Sequence, residues 1–130
     1  MAAMAEQRDP IELAEAVAYG RIAFGLALMA VPSLTSMGYL GREASRPSVR
    51  FLNRLFGGRD VALGLWAVLS RDDKAAFRQA VAVGAACDAW DAVATAITPG
   101  GVPRFGKPLM IAIAAGAAAV GGMAVRQLEV

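Results

Sequence analysis

Pro108 to Val125 runs for eighteen residues without a charged side chain, and Arg126 closes the run. As a helix rising about 1.5 Å per residue it would be roughly 27 Å long, close to the roughly 30 Å hydrocarbon core of a bilayer. A soluble amphipathic helix needs a wet face, and this segment offers none. The whole chain must therefore be read with lipid as its solvent. Composition agrees: 57% of residues are hydrophobic and 18% charged, and mean hydropathy is +0.49, whereas soluble domains are near half apolar and a quarter charged. The expected fold is all-α, a four-helix transmembrane bundle with antiparallel helices and short loops. A soluble four-helix bundle is the alternative, and the uncharged fourth segment argues most strongly against it.

With 130 residues the chain has room for a single membrane domain, residues 1–130. Residues 1–10 read as a mobile tail that is acidic rather than basic, so no cleavable signal peptide is expected. Asp9-Pro10 with Glu12 is a helix start, Pro at the first position and a carboxylate in the first turn. Spans are expected at about 14–31, 51–69, 77–97 and 108–125. Pro32 with Ser33, Thr35 and Ser36 stops or kinks the first; Gly38 to Val49 reads as a loop. Ser70, Asp72 and Asp73 are candidate caps for the third span, and Thr98-Pro99-Gly100-Gly101 ends it.

Several function classes recede at this stage. A net charge of +2, with basic residues spread along the chain, gives no nucleic-acid patch. Histidine is absent and Cys87 stands alone, so no metal site, disulfide or cofactor is expected. Gly57-Gly58-Arg59-Asp60 lacks the lysine and strand context of a phosphate loop. Basic residues divide six against six between the two sides: Arg8, Arg21, Arg71, Lys74, Arg78 and Arg126 against Arg42, Arg46, Arg50, Arg54, Arg104 and Lys107. The positive-inside rule then gives no orientation. Arg42 to Arg54, recurring every four residues, read first as a solvated connection and second as an anionic-lipid contact.

Residues three and four apart share a helix face. By that rule Arg21, Gly25, Leu28 and Pro32 form a face that bulky Leu28 interrupts, whereas Asn53, Gly57, Asp60 and Gly64 form an unbroken one. Ala80, Gly84, Asp88, Asp91 and Thr95 line the third span, and Ala114, Ala118, Gly122 and Arg126 the fourth. Small residues let helices approach closely in lipid, so Gly25, Gly57, Gly64, Gly84, Ala118 and Gly122 are the expected packing positions. Trp90, in mid-span, is expected to fill a gap or line a pocket, and Cys87 to be an inert core thiol.

Charges in mid-bilayer need another explanation, because each costs at least about 2.5 kcal/mol on insertion scales. The expected solution is one buried network in which Arg59 or Arg21 meets the Asp88/Asp91 face, with Asp60 beside it. Arg21-Ile22-Ala23-Phe24-Gly25 with Pro32, followed by Arg54-Leu55-Phe56-Gly57-Gly58-Arg59-Asp60-Val61-Ala62-Leu63-Gly64, resembles a group of small bacterial four-helix membrane proteins distantly similar to the DoxX-like superfamily. In that group a Gly-Arg-Asp element opens the second span and an aspartate lies in the third. The resemblance covers about residues 15–125 and implies fold and an inner-membrane location, not a reaction. The first functional expectation is a structural or accessory subunit, with the bilayer and a membrane-protein partner or second copy as its partners. Two others stand beside it: a carrier or binder of a proton, cation or amphiphile through Asp88/Asp91, and an enzyme using a protonated aspartate on a lipid or quinone.

Overall fold

A computed structural model describes residues 9–129 and is all-α there, with no strand among them. The helices are α1 (Pro10–Ala30), α2 (Pro32–Leu40), α3 (Pro47–Leu69), α4 (Lys74–Ile97) and α5 (Gly106–Leu128), with a 3-10 turn at Gly41–Ser45. The tail expected over residues 1–10 lies mostly outside the described residues, and Asp9 and Pro10 already belong to the start of α1. There the Asp9 carboxylate accepts from the Ile11 amide at 2.9 Å, and Pro10 takes a position whose missing N–H costs nothing.

Pro32 divides what would otherwise be one long helix. A residue before proline is pushed out of the helical region, and Val31 sits at φ −133°, ψ 64°. Pro32 then opens α2, whose Ser36 hydroxyl bonds back to the Pro32 carbonyl at 2.7 Å. The loop expected over Gly38–Val49 is instead the end of α2, the 3-10 turn and the start of α3. Pro47 acts there as a helix opener rather than a breaker. Gly41 allows the sharp exit from α2 at a positive φ of 57°. The Asp73 carboxylate caps α4 by accepting from the Ala76 amide at 3.0 Å.

Packing inverts the pattern of a soluble core. The buried positions are largely alanine and glycine, and among the described residues the only large apolar side chain with essentially no exposure is Leu28. Leu26, Leu34, Leu65, Leu69, Ile97 and Ile113 face outwards. Small residues bring backbones together: a Cβ on Gly57 would stand 2.5 Å from the Gly25 carbonyl oxygen, and one on Gly64 would stand 2.6 Å from that of Ala18. Leu28, the bulky member of its stripe, seats that bulk over Gly57. On α5 the buried positions are Gly106, Gly121 and Ala124; Gly122 is exposed with nothing near it, and Ala118 is only half-buried. Steps of four residues drift about 40° each, so the stripe Ala114-Ala118-Gly122-Arg126 winds away from the core. Trp90 is 62% exposed and fills no gap.

Three helices, α1, α4 and α5, are long and apolar enough to cross a membrane. α3 matches them in length at 23 residues but carries Arg50, Arg54, Arg59 and Asp60. The N-terminal half of α1, the C-terminal half of α3, the start of α4 and the end of α5 share one core of Ala14, Ala18, Ala67, Phe77, Ala80, Val81 and Ala124. At the other end the segments meet through backbone: Gly106 packs against the Tyr39 carbonyl, Arg54 Nε donates to the Met29 carbonyl at 3.1 Å, and Lys107 Nζ to that of Thr98 at 3.2 Å. That end holds six basic residues and one carboxylate, Glu43; the described residues of the first end hold six carboxylates and four basic residues.

Candidate functional site: a charged floor beneath an apolar cleft

Between these two ends lie the charges that composition could not explain. Arg21 projects from α1 to Asp88 on α4, donating to its carboxylate, and its Nη2 also donates to the Gly84 carbonyl at 3.1 Å. Its Nη1 lies 3.6 Å from Asp60 on α3. Arg59, also on α3, holds Asp91 with both terminal nitrogens at 3.2 and 2.7 Å, and its Nη2 stands 3.4 Å from Asp60. The result is an alternating chain, Asp88–Arg21–Asp60–Arg59–Asp91. It is drawn from α1, α3 and α4, and both arginines take part rather than one.

Burial grades the members. Side chains of Arg21, Asp60 and Asp88 are only 11%, 8% and 9% exposed, while Arg59 is a third exposed. Burying a charge is costly unless it is paired and hydrogen-bonded, and every member of the chain is. Arg59 gains a further contact, its guanidinium lying 4.1 Å from the centroid of the Phe56 ring. Its Nε is buried without a partner. Gly84 has a different task from the helix contact expected of it: a Cβ there would stand 3.3 Å from Arg21 Nη2, so its missing side chain makes the seat for the guanidinium. Of the glycines expected to pack, Gly25, Gly57 and Gly64 do join helix to helix, as do Gly106 and Gly121 of α5.

Arg21 separates two unequal spaces. On the side of the alanine core only about 20 Å³ is free. On the other side a cleft of about 760 Å³ extends among α1, α2, α4 and α5, with Phe56 and Asp60 from the middle of α3 at its edge. Arg21, Asp60, Asp88 and Asp91 form its polar floor, while Arg59 is not part of its lining. Its walls are apolar: Phe24, Phe56, Leu109, Met110, Ile113 and Val120. Tyr39 and Thr35 reach it from α2. Burial, with the Asp60 carboxylate nearby, pushes the Tyr39 hydroxyl up to about 12, so it stays a neutral phenol.

Sequence reasoning gave neither Thr35 nor Tyr39 a place in a site, because Thr35 reads with Pro32 as a helix stop and Gly38–Val49 as a loop, which leaves α2 no separate existence. The available signal was Pro32 itself, which opens helices as readily as it ends them. Ser36 was passed over for the same reason; it is fully buried and accepts from Asn53 Nδ2 at 2.9 Å, tying α2 to α3. Among the described residues no group of three or more histidine, cysteine or acidic side chains is placed to hold a metal ion.

Fold and site together define an all-α protein with helices fit to cross a membrane and a paired charge network buried at their centre. No protein-family model, curated protein or solved structure matches the chain.

Proposed function

We propose that the chain is an integral membrane protein, an antiparallel bundle of four spans, that binds an amphiphilic small molecule in the cleft above Asp60, Asp88 and Asp91. The fourth span is α3. Its low hydropathy is no obstacle, because Arg59 and Asp60 are neutralised by partners on α1 and α4 rather than by water. The resemblance of the Gly58-Arg59-Asp60 element to small bacterial membrane proteins favours the bacterial inner membrane.

The cleft is the observation that carries this reading over a purely structural role. A network that only fixed helix order would be satisfied in a closed, dry centre; here three carboxylates border about 760 Å³ of space with apolar walls. That volume lies within the range of small-molecule sites, which combine apolar walls with a few placed polar groups. The interhelical ion pairs favour a structural contribution as well, since each links α4 or α1 to α3 or to one another. The two roles coexist.

Half-buried Ala94 lines the cleft without belonging to the network, so Ala94→Trp fills it and spares the charges. Native mass spectrometry of protein released from its membrane should show a bound amphiphile on the wild type and none on Ala94→Trp, with helical circular dichroism unchanged. Equal occupancy of the two proteins, or no amphiphile on either, would leave the structural role alone standing. Asp88→Asn with Asp91→Asn separates the roles further: a folded bundle that no longer binds excludes a network serving packing only.

A further inference from the structure

The cleft has a distinct chemical character and a distinct way in. Of the network's five members, the four that line it are three carboxylates and a single guanidinium. The second guanidinium, Arg59, is turned to Asp91 and the Phe56 ring and lies outside the lining. The surface offered to a ligand is therefore richer in negative charge than the network as a whole. Three aromatic side chains, Phe24 of α1, Tyr39 of α2 and Phe56 of α3, border the same space. Carboxylates set among aromatic faces suit an ammonium group, which rings attract through their quadrupole, and the attraction grows when water is excluded.

The space is also open sideways. Gly20 and Phe24 on α1, and Ile113 and Gly116 on α5, line the cleft and are exposed. A Cβ at Gly20 or Gly116 would meet nothing within 4 Å, so the two helices stand apart along this line. α1 and α5 are both membrane-length apolar helices, so the gap between them faces lipid once they are inserted.

We infer that the cleft admits, sideways from the bilayer between α1 and α5, an alkyl-chain amphiphile with a cationic ammonium head that is held over Asp60, Asp88 and Asp91. This rests on the amphiphile-binding reading above and names its ligand class. The head neutralises the carboxylate excess, and the chain lies along Leu109, Ile113 and Val120. An anionic head would meet three carboxylates with only Arg21 to oppose them. A neutral head would leave the excess in place.

The test uses the full chain in phosphatidylcholine nanodiscs, loaded with equal mole fractions of hexadecyltrimethylammonium, hexadecanol or hexadecanoate, with adducts counted by native mass spectrometry. The ammonium compound should be retained about thirtyfold more than either of the others, as a desolvated cation–aromatic contact of about 2 kcal/mol implies. Gly116→Trp, which closes the gap without touching the network, should abolish retention while leaving helicity intact. Equal retention of all three, or preference for hexadecanoate, overturns the cationic class and leaves amphiphile binding standing. No retention of any of them overturns both. Undiminished retention by Gly116→Trp overturns the sideways route.

Discussion

Replacing Arg21 with methionine removes charge and hydrogen bonding while keeping much of the side chain's bulk, and it strikes the network at its most buried cation. Arg21 is the cation on Asp88, donates to the Gly84 carbonyl and stands 3.6 Å from Asp60. Without it Asp88, 9% exposed, loses its ion-pair partner, whereas Asp60 keeps Arg59 at 3.4 Å. Breaking a buried pair by deleting one partner typically costs about 3–5 kcal/mol, because the remaining charge is stranded. Removing both partners strands nothing, so Arg21→Met combined with Asp88→Leu should recover about 1–3 kcal/mol of that loss. A pair half in solvent serves as the reference: the Arg78–Glu129 contact should be worth about 1 kcal/mol or less. The assay is reversible unfolding in mixed micelles by titration with dodecyl sulfate, followed by far-ultraviolet circular dichroism, over the full double-mutant cycle. A loss below about 1 kcal/mol for Arg21→Met, or a double variant no more stable than additivity predicts, would refute the claim that these charges are stable only through one another.

Adjacent glycines in α3 provide an internal control on packing. Gly57→Ala drives a methyl group to 2.5 Å from the Gly25 carbonyl and 2.9 Å from Leu28 Cβ, while Gly58→Ala meets nothing within 4 Å. The first should destabilise by about 1–3 kcal/mol and the second gain up to about 1 kcal/mol from helix propensity; equal effects in the same titration would show that α1 and α3 do not approach so closely. The basic end should recognise anionic head groups, since among the described residues Glu43 is the one carboxylate set against Arg42, Arg46, Arg50, Arg54, Arg104 and Lys107, and Arg46 already engages it at 2.8 Å. Tm in nanodiscs with phosphatidylglycerol should exceed that in pure phosphatidylcholine, and Arg42→Gln with Arg50→Gln and Arg104→Gln should remove the difference, each basic residue near such a surface contributing about 1 kcal/mol. Identical Tm values of the wild type in both lipids would count decisively against it.

What could be read in advance depended on which rule governed each residue. Helix ends set by local chemistry were legible: Asp9-Pro10 and Asp73 act as caps, and Thr98 closes α4. So was the company the charges keep, because burying Asp60, Asp88 and Asp91 in an apolar chain leaves few arrangements other than pairing with Arg21 and Arg59. Faces were legible where spacing alternated between three and four, as at Gly57, Asp60 and Gly64, and failed where it stayed at four, as along Ala114 to Arg126. Trp90 shows another limit. Periodicity says which residues share a face, not which face meets lipid, and a tryptophan surrounded by hydrocarbon incurs no penalty for exposure.

The cleft was not legible at all, because it is made by absence. Val31 leaves the helical region before Pro32, α2 brings Thr35 and Tyr39 to the cleft, and Gly20 and Gly116 leave the α1–α5 boundary unfilled. No single segment encodes that space. The same chain nevertheless closes its opposite half on alanines until about 20 Å³ remains. Tight packing was thus within reach of this composition, and the charges stand at the boundary where it stops. A network inside the packed half would have stronger pairs but a heavier desolvation cost, and none of its carboxylates would face open space. Its position at the floor of the cleft ties the charge to the opening, and the two are best explained as parts of one site.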